Sequence, residues 1–254
     1  KDKVSLANEA FLFLKLQDVK RIPRLYWAGI YEKSYAMVTE LMGKDFGSYL
    51  KIYNSFSLKT TFMIGIQMLE CIEQIHSKGI IHRDIKPENI MIGKGENKDT
   101  LYLVDFGISK AFLDKDGNHI QFRENKNFVG TTRFASIAAH EGKEVCRKDD
   151  LESLGYVLIY LLKGALPWQN LNFSNSHKAA KVGNMKRIII LEELCKGLPN
   201  EFQKFMEYQK RMKFTDSPNM IYLKELLFHG LKSINEEMDN VWDWAAPLKI
   251  DVSK

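Results

Sequence analysis

The sequence predicts an α+β fold in which a small β-containing N-terminal part joins a larger, mainly helical body. Three observations carry that expectation. Residues 25–40 hold two short aromatic and β-branched runs on either side of a turn signal. Residues 58–77 repeat apolar side chains every three or four positions, and residues 150–162 are apolar on nearly every side. With 254 residues, the chain is long enough for one large domain or two tightly packed lobes.

Taken in order, residues 5–16 read as a helix. Ala7, Ala10, Phe11 and Leu14 form its expected apolar stripe, Ser5 is its candidate cap, and Glu9 lies off the stripe. Strands are expected at 25–30 and 35–40, paired as a hairpin across Glu32-Lys33-Ser34. The body begins after the connection near 41–44. Its first long helix, 58–77, should turn Leu58, Phe62, Gly65, Leu69, Ile72 and His76 toward a core. The segment 150–162, apolar all round yet too short for a bilayer, is expected as the central helix, with Asp150 as its N-cap. Residues 172–184 read as a variable loop. The chain shows no repeat with a 20–50-residue period and no low-complexity linker.

Composition narrows the function classes. At 45% hydrophobic and 27% charged residues, the chain is not a disordered one. Its longest apolar run, 155–162, is far below the ~20 residues of a membrane-spanning helix, and no apolar signal segment opens it. Cys71, Cys146 and Cys195 are too few and too scattered for a disulfide framework or a zinc site, so buried thiols in a reducing compartment are expected. A net charge of +5 mildly favours an anionic partner. With no recognised nucleic-acid motif, a specific nucleic-acid partner is not expected.

The chemically informative stretch is His82-Arg83-Asp84-Ile85-Lys86-Pro87-Glu88-Asn89, followed by Val104-Asp105-Phe106-Gly107. Either piece alone is readily a turn or a solvated loop. Together and in this order they supply what phosphoryl transfer needs: a carboxylate to accept the attacking hydroxyl's proton (Asp84), a cation against the transferring phosphate (Lys86), and hard oxygen ligands for Mg²⁺ (Asn89 and Asp105).

These motifs match the signature set of eukaryotic protein kinases. Lys86, two residues after Asp84, and Gly130-Thr131 resemble the serine/threonine branch. The run Arg123-Glu124-Asn125-Lys126-Asn127, then Gly130-Thr131-Thr132-Arg133-Phe134-Ala135-Ser136-Ile137, is similar to the casein kinase I family. So are Arg147-Lys148-Asp149-Asp150-Leu151-Glu152-Ser153-Leu154-Gly155 and Leu166-Pro167-Trp168-Gln169. The likeness spans Glu9 to about Trp244. One small departure is Ser136-Ile137-Ala138 where the family has Ser-Ile-Asn, which bears on local loop geometry.

The resemblance implies a two-lobed protein-kinase-like fold, with a partial N-lobe at 1–43, hinge at 40–43, and a complete helical C-lobe at 44–254. It implies Mg²⁺-ATP as cofactor, with Asp84, Lys86, Asn89, Asp105 and Thr131 catalytic and Asn89 and Asp105 holding the metal. Backbone groups of Glu40 and Met42 would bind adenine, with Thr39 at the back of the pocket and Met91 beneath the base. His82 is implied to be a structural spine residue, and Arg83 to meet Glu124 or another local acceptor. Glu9 matches the glutamate that pairs with the nucleotide-binding lysine. That lysine and the Gly-rich loop normally precede it, and an upstream segment is expected to supply them. Arg133, with Lys178, Lys181, Lys186 and Arg187, would favour protein substrates that are acidic or already phosphorylated. A monomer in the cytoplasm, and in the nucleus as well, completes the expectation. The rival expectation is an inactive kinase-like scaffold that holds acidic or phosphorylated partners without transferring phosphate.

Overall fold

The structure, a computed structural model, describes residues 3–169 and 178–245. Helix α1 (Lys3–Lys15) carries apolar residues around much of its circumference, so periodicity alone does not fix its inner face. The structure buries Glu9, Phe13 and Leu16 and leaves Phe11 and Leu14 more than half exposed, which corrects the expected stripe. The spacing of the buried three is again helical, and Phe13 meets the Phe106 ring edge-on at 5.6 Å. Because the helix already runs from Lys3, Ser5 lies inside it and is not its cap. Behind α1, the Arg21 guanidinium pairs with Glu70 at 2.8 Å, while Val19 and Ile22 are buried.

Strands β1 (Leu25–Tyr31) and β2 (Ser34–Thr39) form the expected antiparallel hairpin, with Ile30 opposite Tyr35. Its turn residues Glu32 and Lys33 both take positive φ, 46° and 68°, the geometry of a tight two-residue hairpin turn. Glu40 falls just beyond β2.

The body opens with α2 (Phe46–Tyr53), capped by Asp45, whose carboxylate accepts from Ser48 N at 2.9 Å. Helix α3 (Leu58–Ser77) has the predicted bounds and is buried along nearly its whole length. Three two-stranded sheets of the described residues order the rest of the chain. One is the hairpin, and the others pair β3 (Ile80–Ile81) with β6 (Lys110–Ala111) and β4 (Ile90–Ile92) with β5 (Leu101–Leu103). A short α4 (Ile137–His140) then precedes α5 (Arg147–Lys163).

Helix α5 is the buried central helix expected from composition, but it starts three residues before Asp150. Cys146 N donates to the Asp149 carboxylate at 2.7 Å, so Asp149 closes that end and Asp150 is not the N-cap. Gly164, at φ 71°, ends the helix. Helix α6 (Lys178–Ile188) corrects the loop expected over 172–184 from residue 178 onward; residues 172–177 lie outside the described residues. Val182, Gly183 and Lys186 make its inner face, and a Cβ on Gly183 would stand 2.5 Å from the Cβ of His140. Helices α7 (Leu191–Leu194), α8 (Asn200–Arg211) and α9 (Met220–Ser233) complete the body, α9 lying on α3 and α8 on α5.

All three cysteines are buried and free. Burial pushes the Cys71 thiol up to about 12 and the Cys195 thiol up to about 11, so both are inert near neutral pH. Among the described residues no helix is long and apolar enough to cross a membrane.

Candidate active site

The segment 82–89 crosses from β3 to β4 over the start of α5, and one buried carboxylate fixes its path. Asp150 accepts from His82 N and Arg83 N, both at 2.8 Å, and from His76 Nε2 at 2.9 Å. Burial alone would raise this carboxyl. The hydrogen bond and charge of His76 and the bond from the Arg83 amide outweigh burial and hold it below its usual range. The Arg83 amide is thereby held although Arg83 sits at φ 70°, a costly conformation for a residue that carries a Cβ.

His82 is fully buried. Its Nδ1 accepts from Asp84 N at 3.3 Å, and its Nε2 faces Val104 O at 3.0 Å, an arrangement that requires the neutral ring. Burial lowers its pKa accordingly. The ring meets Phe106 at 5.0 Å, and Phe106 meets Phe13. His82, Phe106 and Phe13 therefore form a continuous column of rings from the 82–89 segment to α1.

Asp84 is the centre of the polar site. Thr131 Oγ1 donates to Asp84 Oδ1 at 2.7 Å, and Lys86 Nζ donates to Asp84 Oδ2 at 2.6 Å and to Thr131 Oγ1 at 3.2 Å. Asn89 Nδ2 donates to Asp84 O at 2.9 Å. This bond fixes the amide so that its Oδ1 remains an acceptor. Asp105 stands at φ 64° just beyond β5, and its Oδ1 accepts from Gly107 N at 3.2 Å. Gly130 permits the approach of Thr131. At φ 93°, its absent Cβ would stand 2.8 Å from Arg83 O.

The residues expected to bind nucleotide lie along 39–44 and on β4. The backbone at 43–44 runs beside β4, Gly43 N donating to Ile92 O at 2.7 Å and Ile92 N to Lys44 O at 3.1 Å. Met42 is buried and Met91 half-buried beside this strap. Glu40 N donates to Arg24 O at 2.7 Å, and the Glu40 carbonyl accepts from Thr39 Oγ1 at 3.5 Å. Thr39 is exposed. Glu9 is 8% exposed on the inner face of α1.

The five cationic residues do not form one set. Arg133 Nη1 donates to Tyr160 OH at 3.2 Å, and its guanidinium lies over the Tyr160 and Phe134 rings. It opens on a groove of about 780 Å³ bounded by Asp45, Glu88 and Lys163. Lys178, Lys181 and Arg187 are exposed on α6. Lys186 is buried at 3% exposure, and its ammonium donates to Thr132 O at 3.1 Å and Ala135 O at 2.6 Å. With those partners it cannot present a free charge to a substrate, which corrects its place among the anion-binding residues.

Sequence reasoning missed Glu144. Glu124 is exposed, whereas the buried Glu144 takes Lys110 at 2.7 Å and Lys126 at 3.8 Å. Burial disfavours the Arg83 cation, and the carboxylates of Glu144 and Asp150 counter it. Glu144 is therefore the local acid that gathers the basic residues of the segment after Gly107. No spacing rule links positions 83, 110, 126 and 144, so only the fold reveals the cluster. The change to Ala138 leaves the local turn intact, because Ser136 Oγ accepts from Ala139 N at 3.2 Å and caps α4.

A helical body that holds an Asp-Lys-Thr triangle with an Asn amide bonded to the same aspartate, and a second carboxylate just beyond β5, has the site arrangement of the protein-kinase class. A family model described as the protein kinase domain matches residues 1–228, and the chain belongs to that family. Protein kinases act on protein substrates with ATP and Mg²⁺. The oxygen set here fits Mg²⁺. Asn89 and Asp105 offer the hard oxygen donors this ion takes. With nucleotide bound, Mg²⁺ supplies charge neutralisation between its phosphates.

Proposed function

We propose that this protein is a serine/threonine kinase of casein kinase I type, transferring the γ-phosphate of ATP to hydroxyls of acidic or already phosphorylated proteins. The observation that carries the reading is the Asp84-Lys86-Thr131 triangle. A substrate hydroxyl placed at Asp84 meets a carboxylate able to take its proton, while Lys86, two residues on, offsets charge on the group in transit. Asn89 and Asp105 hold Mg²⁺ in this reading. Glu40 and Met42 orient adenine above Met91, Thr39 borders the back of the pocket, and Glu9 pairs with the nucleotide lysine. Arg133 is the group for an anionic residue of the substrate, supported by Lys178, Lys181 and Arg187 on α6, because a stacked guanidinium bordering a groove suits a phosphate or carboxylate. The family resemblance also supports a monomer working in the cytoplasm and nucleus.

The test is transfer of labelled γ-phosphate from Mg²⁺-ATP to a serine peptide, with and without an upstream phosphoserine, against Asp84→Asn. Transfer that the variant abolishes, and that the primed peptide enhances, is the expected result. A folded protein that binds the phosphopeptide without transferring phosphate would instead establish the scaffold reading.

A further inference from the structure

The loop 131–137 carries Thr131 at one end, in contact with Asp84, and side chains from the helical body grip it at four other points. Lys186 Nζ takes Thr132 O and Ala135 O. Trp168 Nε1 donates to Arg133 O at 2.8 Å, and Ile137 N donates to Glu152 Oε1 at 3.0 Å. The gripping groups are themselves interlocked. Tyr156 OH donates to Glu152 Oε1 at 2.8 Å, the Tyr156 and Trp168 rings meet edge-on at 5.1 Å, and the Lys186 ammonium lies 4.7 Å and 5.1 Å from those ring centres. Lys186, Glu152, Tyr156 and Trp168 are all buried. A buried charge with no structural return is strongly disfavoured, yet here two of them converge on the backbone of one short loop.

We propose that Lys186 is a positioning residue for phosphoryl transfer, acting with Glu152 as a buried clamp that holds loop 131–137 so that Thr131 and Arg133 face Asp84 and the substrate groove. The proposal rests on the kinase reading for its catalytic consequence and on geometry alone for the clamp. Helix α6 thereby reaches the reacting centre without touching substrate. Its inner-face lysine orders three backbone groups with Trp168, and the ordered loop fixes the hydroxyl that bonds Asp84. An ammonium suits the task because it donates in several directions from one point, whereas the neighbouring exposed cations of α6 touch solvent.

The experiment combines amide hydrogen exchange and steady-state kinetics on the full chain with Lys186→Met, which keeps the apolar stem between the rings. Exchange in 131–137 should rise about tenfold or more while the buried amides of α3 and α5 stay protected. Peptide kcat/KM should fall about thirtyfold, with KM for ATP within about twofold of its starting value. If Lys186→Met does not fold, Glu152→Gln replaces it. That variant keeps an oxygen for Ile137 N but removes the buried countercharge, and faster exchange confined to the same loop is again expected. Unchanged loop exchange overturns the clamp. So does an equal acceleration through α3 and α5, which would reduce Lys186 to a packing residue. A wild-type protein that transfers no phosphate would defeat the kinase reading, and the exchange measurement would still decide the clamp.

Discussion

The catalytic loop and the N-terminal hairpin are both short backbone segments, yet they are held by opposite means. Around 82–89 buried side chains fix the path of the chain, and Asp150 alone takes the amides of His82 and Arg83 as well as the ring of His76. In the hairpin the bonds run between the two strands themselves, and Trp27, Ile30, Tyr35 and Val38 are exposed. The difference teaches where precision is located. Geometry that must be right to fractions of an ångström is anchored in a rigid interior, and strained backbone at Arg83 and Asp105 survives there because the surroundings over-determine it.

The largest effect that would break this contrast is on chemistry. Asp84→Asn keeps the shape of the loop but removes the proton acceptor, so transfer should fall about a thousandfold or more while the thermal midpoint stays within a few degrees. Asp105→Asn should do the same through loss of the metal-side charge. Near wild-type turnover in either, measured on folded protein, would mean that these carboxylates do not have the assigned roles.

Next in size is an effect on stability. Asp150→Asn leaves one oxygen to serve donors from His82, Arg83 and His76 in a dry site. A loss of about 3 kcal/mol in denaturant unfolding is expected, with activity falling as well. A loss below about 1 kcal/mol would show that the catalytic loop keeps its path without that carboxylate.

What was legible in the sequence follows the same division. Helix α3 was readable to the residue, because an amphipathic pattern of that length leaves little choice. Asp84, Lys86, Asn89 and Asp105 could be singled out because they lie on two short contiguous motifs, and the roles proposed for them rest on those motifs. The inner face of α1 was not, since its apolar residues leave the periodicity ambiguous and Phe106, distant in sequence, selects Phe13. Glu144, Glu152 and Lys186 were invisible or misread for a related reason. Their meaning comes from burial against loops far away in the chain, and a lysine reads as a surface charge until the surface is known. The spacing of Lys186 after Val182, one helical turn earlier, was the available signal.

A smaller effect separates the regions by pH. Burial, aided by the nearby Lys186 charge, lowers His140 from its ordinary value to about 4. In the unfolded chain this imidazole takes a proton near 6.5. Since its folded pKa is the lower one, its contribution to stability is present above about 6.5 and is lost as pH falls toward 4. Unfolding free energy should therefore drop by up to about 3 kcal/mol across that window, and His140→Asn should flatten part of the slope. Residues 1–43 contain no histidine, so the acid response of this kind belongs to the body. A slope identical in His140→Asn would remove this histidine as its source.

The smallest expected effect sharpens the comparison most directly. Ile30 and Ile64 are the same residue type in opposite settings, 64% exposed on the hairpin and 0% exposed in α3. Ile64→Val deletes one methylene from a packed interior and should cost about 1 kcal/mol. Ile30→Thr keeps a β-branched side chain on a strand and places its hydroxyl in water, so in the 254-residue chain it should cost less than about 0.5 kcal/mol. Both are measured as shifts of one denaturation midpoint. A loss above about 2 kcal/mol for Ile30→Thr would mean that the hairpin face is covered in the folded protein, and the two regions would then differ in their partners rather than in their need for packing.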